Sequence, residues 1–72
     1  MEVRLFATLR ESRGLVVDVP WFDGMKGSDL LSALDIAVED AAIFLINGKH
    51  SKPDAIISAD DIIALFPPVG GG

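Results

Sequence analysis

Few residues of this chain belong to types that do covalent or acid–base chemistry on their own. There is no cysteine and a single histidine, His50, which excludes disulfides, thiolate nucleophiles and metal sites built from cysteines or several histidines. His50 lies in Lys49-His50-Ser51-Lys52, has no acid–base partner in the sequence around it, and reads as part of a solvated turn. Asp60 and Asp61 are adjacent before an apolar run and read as turn-formers, not as a catalytic pair. The chain ends in Phe66-Pro67-Pro68-Val69-Gly70-Gly71-Gly72. These glycines do not form a phosphate-binding loop, because no Lys-Ser/Thr and no helix follow them. Residues without Cβ can pass a narrow channel and take φ angles closed to other residues. Pro67 and Pro68 fix φ and favour an extended path away from the body. At full extension Pro67 to Gly72 reaches about 20 Å, and a carboxylate at the tip can be held by backbone amides or basic side chains.

The body that must carry such a tail is small and apolar. Its 72 residues allow one domain, and half of them are hydrophobic, with a mean hydropathy of +0.43, too apolar for a disordered chain. A core of this size supplies only about 3–5 kcal/mol. The net charge of −5 argues against a nucleic-acid binder, which would be basic, and fits a protein steered toward a basic surface on another protein. No apolar run approaches the roughly 18 residues of a membrane span. The opening Met1-Glu2-Val3-Arg4 shows no signal-peptide layout, so the expectation is a cytoplasmic protein.

Periodicity assigns the elements. Val3, Leu5 and Ala7 alternate with Arg4 and Thr8 over Glu2 to Thr8, a strand pattern interrupted by Phe6 on the polar side. The polar stretch from Arg10 to Gly14 is a turn. Leu15, Val17, Val19 and Trp21 repeat at every second position, giving a second strand with Pro20 suited to an edge. Trp21-Phe22 reads as packing. Ser28 is a natural N-cap with Asp29 in the first turn. Leu30, Leu31, Leu34, Ala37 and Val38 then recur at helical spacing over about three turns. Their apolar face is expected to pack on Val3, Leu5, Val17 and Ile63. Ala42 to Ile46 is a covered strand ending in Asn47-Gly48, a strong hairpin signal. Lys49 to Asp54 holds a short edge segment, and Ile62 to Phe66 forms the last strand, expected beside the first in the sheet centre.

The order of elements resembles the β-grasp fold of ubiquitin-like proteins. The ending Leu65-Phe66-Pro67-Pro68-Val69-Gly70-Gly71-Gly72 resembles that of the small subunit of molybdopterin synthase, in which Phe-Pro-Pro-Val, one variable residue and Gly-Gly close the chain. Val3-Arg4-Leu5-Phe6-Ala7, the Asn47-Gly48 turn and the Asp60-Asp61 pair also resemble that family. The length and the third glycine are similar to the thiamin-pathway sulfur carrier, which usually lacks the Pro-Pro. The resemblance implies an α+β fold, a mixed sheet of four to five strands under one main helix. Residues 1–66 would be the globular domain and residues 67–72 a flexible tail.

It also implies a function. The Gly72 carboxylate would be the working group, activated as an acyl-adenylate and converted to a thiocarboxylate that donates sulfur in molybdenum- or tungsten-cofactor biosynthesis. Phe66, Pro67, Pro68, Val69, Gly70 and Gly71 would be the partner-binding residues. The chain would be a non-catalytic carrier with no bound cofactor and no metal, and ATP would be used by its activating partner. The partners implied are a molybdopterin synthase large subunit and an adenylyltransferase related to ubiquitin-activating enzymes, with no nucleic acid and no membrane. The alternatives are the thiamin-pathway carrier, a ubiquitin-like modifier joined through Gly72 to lysines, and a binding module without tail chemistry.

Overall fold

The computed structural model describes residues 1–10 and 14–68. Five strands, β1 (Glu2–Leu5), β2 (Val16–Asp18), β3 (Ile43–Ile46), β4 (Lys49–His50) and β5 (Ile63–Phe66), form one mixed sheet in the order β2-β1-β5-β3-β4. β1 and β5 are parallel neighbours near the centre, and the other pairs are antiparallel. One helix, α1 (Gly27–Ala33), follows the first hairpin. This is the β-grasp arrangement.

The pleat sorts the side chains into two faces. On the inner face Val3, Leu5, Ile63 and Leu65 are fully buried and share one core with Phe44 and with Leu30 and Leu31 of α1. Val17 and Leu34 pack against that core half-buried. Leu9, Val19, Met25, Ile36 and Ile57 complete it from the connections.

α1 is shorter than its sequence pattern. It starts at Gly27, and its N-cap is Lys26, two residues before Ser28. Tertiary partners do the work of a hydroxyl cap: Gly27 N–H donates to the Ala55 carbonyl (3.0 Å) and Ser28 N–H to the Pro53 carbonyl (2.8 Å), while Lys26 N–H donates to Asp29 Oδ2 (2.9 Å). These bonds satisfy the orphan donors of the first turn. At the other end Asp35 takes φ +58. Its N–H donates to the Ser32 carbonyl (3.1 Å), and Ile36 N–H donates to the Leu31 carbonyl (2.9 Å), which is a Schellman ending with aspartate at the left-handed position. It swings Ile36 into the core and leaves Ala37 and Val38 exposed. The third helical turn expected over them is absent, and Val38–Asp40 forms a separate 3-10 turn.

The first strand also stops early. Ala7 takes φ +54 and opens a 3-10 turn over Ala7–Arg10 that carries Leu9 into the core. Ala7 is exposed, where strand alternation had placed it inside. The second strand ends at Asp18. Leu15 is half exposed, and Trp21 packs half-buried with its indole N–H donating to the Ile57 carbonyl (2.8 Å). The packing expected of Trp21-Phe22 holds for Trp21 and fails for Phe22, which is 52% exposed. β4 is the expected short edge segment. No described helix is long and apolar enough to cross a membrane.

Candidate functional site

The tail leaves the sheet from its centre. β5 lies between β1 and β3, so Pro67 and Pro68 emerge with strands on both sides. Parallel pairing makes β1 and β5 end at the same edge of the sheet, and β3 begins there, with Ile43 opposite Phe66. The turn Val38–Asp40 precedes β3. The carboxylates of Glu39 and Asp40, both exposed, therefore lie at the end of the sheet from which the tail departs.

Phe66 is not a core residue. Inner and outer positions alternate along β5, so Leu65 is buried and Phe66 faces outward, half-buried. One residue past the end of β1 the same alternation turns Phe6 outward. The two rings stack with centroids 4.3 Å apart and planes 6° from parallel, and Phe6 N–H donates to the Leu65 carbonyl (3.1 Å). Such a pair contributes roughly 0.5–1.5 kcal/mol beyond its buried area. Phe6, the residue that breaks the alternation of the first strand, thus braces the root of the tail.

The rest of the outer face continues from this pair. Strand register lines up Val16, Arg4, Ala64, Leu45 and His50 across the sheet. A shallow groove of about 520 Å³ runs over the outer face. Phe6 and Phe66 line it at the tail end, Arg4, Ala64 and Leu45 in the middle, and Ile62 with Asn47-Gly48 at the far end. Arg4 is the cation of the groove, and its Nε donates to Glu2 Oε2 (2.6 Å). The far end is tied together by hydrogen bonds. Asn47 (φ +53) and Gly48 (φ +83) form the hairpin turn. Asn47 exchanges backbone and side-chain bonds with Ile62 and donates from Nδ2 to Asp61 Oδ1 (2.8 Å), while Asp61 Oδ2 accepts from Ser58 N–H (2.8 Å). Asp61 is spent on these turns, in keeping with its reading as a turn-former.

Of the residues expected to bind partners, Phe66 lines the groove's end, and Pro67 and Pro68 follow it directly in the chain. Val69, Gly70, Gly71 and Gly72, with the carboxylate and the expected flexibility of the tail, lie outside the described residues. The groove itself was not anticipated. Two signals pointed to it: Phe6 on a polar face, and the last strand Ile62 to Phe66, apolar at every position although only one face can meet α1.

A β-grasp domain whose central last strand runs into Pro-Pro and a glycine ending is a ubiquitin-like protein of the tail-bearing kind. The chain belongs to the ThiS family, whose model matches residues 3–72. Among solved structures it is similar to the small archaeal modifier protein 1 of H. volcanii, at 30% identity over 94% of this chain and 95% of that one, with a TM-score of 0.81. A second structure, of SAMP1 from Haloferax volcanii, matches at 30% identity over 99% of this chain and 97% of that one, with a TM-score of 0.73.

Proposed function

We propose that this chain is a sulfur carrier that works through the carboxylate of Gly72, and that it serves molybdopterin synthesis as the small subunit of the synthase. The observation that supports this best is the way the tail is mounted. Phe66-Pro67-Pro68 leaves the middle of the sheet beside a stacked aromatic pair and an apolar groove, so a partner covering the outer face receives the tail at its own surface. A carboxylate is ionised at neutral pH, with an ordinary pKa of about 3.5, and is a poor acyl donor. In the proposed cycle a carboxylate oxygen attacks the α-phosphate of ATP on an adenylyltransferase and pyrophosphate leaves. A sulfur nucleophile then displaces AMP from the acyl-adenylate to give the thiocarboxylate. No side chain of this chain takes part in bond breaking. The body aligns the tail and the partner supplies the catalytic groups.

Pro67-Pro68 favours the pterin pathway over the thiamin one. The likeness to small archaeal modifier structures favours a second reading, a ubiquitin-like modifier joined through Gly72 to lysine side chains. Mass spectrometry of the protein from its native host separates the two. A terminal thiocarboxylate is expected, and isopeptide adducts with no thiocarboxylate would replace the carrier reading by the modifier one. Calorimetry with a molybdopterin synthase large subunit tests the pathway. Binding is expected, weakened by about 2 kcal/mol or more in Phe66→Ala if the ring is a buried anchor. Binding to a thiazole synthase in its place would move the chain to the thiamin pathway.

A further inference from the structure

Asn47-Gly48 carries a chemistry that its part in the hairpin does not use. A glycine after asparagine has no Cβ to shield its backbone nitrogen, and that nitrogen attacks the side-chain amide. A bond forms between the Gly48 nitrogen and Cγ of Asn47, and the bond from Cγ to Nδ2 breaks. The Gly48 amide proton passes by way of solvent to the departing nitrogen, and ammonia leaves. Water then opens the cyclic imide at either carbonyl, giving aspartate or isoaspartate. Asn47 and Gly48 are both exposed, so solvent reaches them. The attack needs the carboxamide turned back over its own following peptide. In the fold it is held elsewhere. Its Oδ1 accepts from Ile62 N–H (3.0 Å), and its Nδ2 donates to Asp61 Oδ1 (2.8 Å). Asp61 is itself fixed through Oδ2, which accepts from Ser58 N–H (2.8 Å).

We propose that Asn47-Gly48 is a site of spontaneous deamidation that Asp61 and Ile62 hold closed in the folded chain, and that reaction there unfastens the hairpin irreversibly. An aspartate at position 47 turns an oxygen on Asp61 where Nδ2 had donated, and two ionised carboxylates have no proton to share. Isoaspartate adds a methylene to the main chain inside a two-residue turn, which shifts the register in which Ile46 faces Lys49. Neither product rebuilds the link to Asp61. Because Asn47 and Gly48 line the far end of the groove, the modified chain presents an altered outer face.

The test is peptide-mapping mass spectrometry of the full chain during incubation at mildly alkaline pH. Conversion of Asn47 is read as the mass gain from amide to acid, and isoaspartate by methyltransferase labelling. Asp61→Ala is expected to convert about tenfold faster than the native chain, the factor that one hydrogen bond to a charged group corresponds to. Leu34→Ala, which weakens the fold away from the turn, is expected to convert more slowly than Asp61→Ala. A native chain that converts as fast as it does in guanidinium chloride would overturn the proposal. So would a rate in Asp61→Ala no higher than in Leu34→Ala. A second comparison is independent of how well Asp61→Ala folds. Asn47→Asp is expected to lower the urea midpoint, and Asp61→Asn added to it to restore most of the loss, because donor and acceptor have then changed sides. A double variant no more stable than Asn47→Asp would overturn the role given to Asp61.

Discussion

A methyl group at Gly27 would have nowhere to go. A Cβ built there lies 2.5 Å from Cε2 and 2.8 Å from Cζ of Phe44, and 3.0 Å from the Pro53 carbonyl oxygen. Overpacking of this kind costs about 1–3 kcal/mol, and the gain in helix propensity, about 1 kcal/mol at most, offsets only part of it. Gly27→Ala is expected to lower stability by roughly 1–2 kcal/mol in a urea melt, and an unchanged midpoint would mean that Phe44 moves freely. Ala7 is the opposite case. It holds φ +54 with a side chain, at a cost of about 1–2 kcal/mol. Ala7→Gly should therefore leave the melting temperature unchanged or raise it, the relief of strain set against the greater entropy of the unfolded chain. At this scale the sequence was partly legible. Val3, Leu5, Leu30, Leu31 and Ile63 were read as core and are core. Phe6 could be seen to break a pattern, but its partner Phe66 lies in the last strand, and only the parallel pairing of β1 with β5 joins them.

Among the elements, α1 shows how tertiary partners override local signals. Ser28 is the better cap by composition, yet the helix begins at Gly27 because carbonyls from Pro53 and Ala55 accept its first N–H groups. No local pattern contains that loop. The far end was missed because Asp35, not glycine, occupies the left-handed position. The shortening has an energetic consequence. Leu34, which helical spacing put mid-helix, is the half-buried C-cap, while Leu31 is fully buried. Leu31→Ala should cost about 2–5 kcal/mol and Leu34→Ala distinctly less. Equal losses would restore the longer helix. The turns were read more reliably, since Asn47-Gly48 carries its φ preference in its own composition. The bonds from Asn47 to Asp61 and Ile62 add a link that no local signal records. Asn47→Ala, which loses both and forces alanine to φ +53, should destabilise by about 1–3 kcal/mol.

Over the whole molecule the arrangement of strands was legible from the order of elements: a hairpin, a helix and further strands let the first strand lie beside the last, and the polar Lys49–His50 segment marks an edge. The outer groove was not, since amphipathic patterning assigns one face to the core and leaves the other to water. Charge is placed with the same economy. Glu39 and Asp40 sit at the tail end of the sheet, so Glu39→Gln is expected to slow association with a basic-rimmed partner and flatten its salt dependence, with little change in dissociation. Stopped-flow mixing at several ionic strengths reads both. A residue added after Gly72 displaces the carboxylate by about 3.5 Å. Under the carrier function proposed above, such a chain should fold normally and fail in sulfur transfer, because misplacement at a reacting centre is costly.

The parallel pairing of β1 with β5 has a further consequence, during synthesis. The first strand waits for the last: neither hairpin can complete the sheet until residues 63–66 have left the ribosome, and contacts so distant in sequence make folding slow. The segment that closes the core is the one to which the tail is attached, so a prematurely terminated chain lacks both.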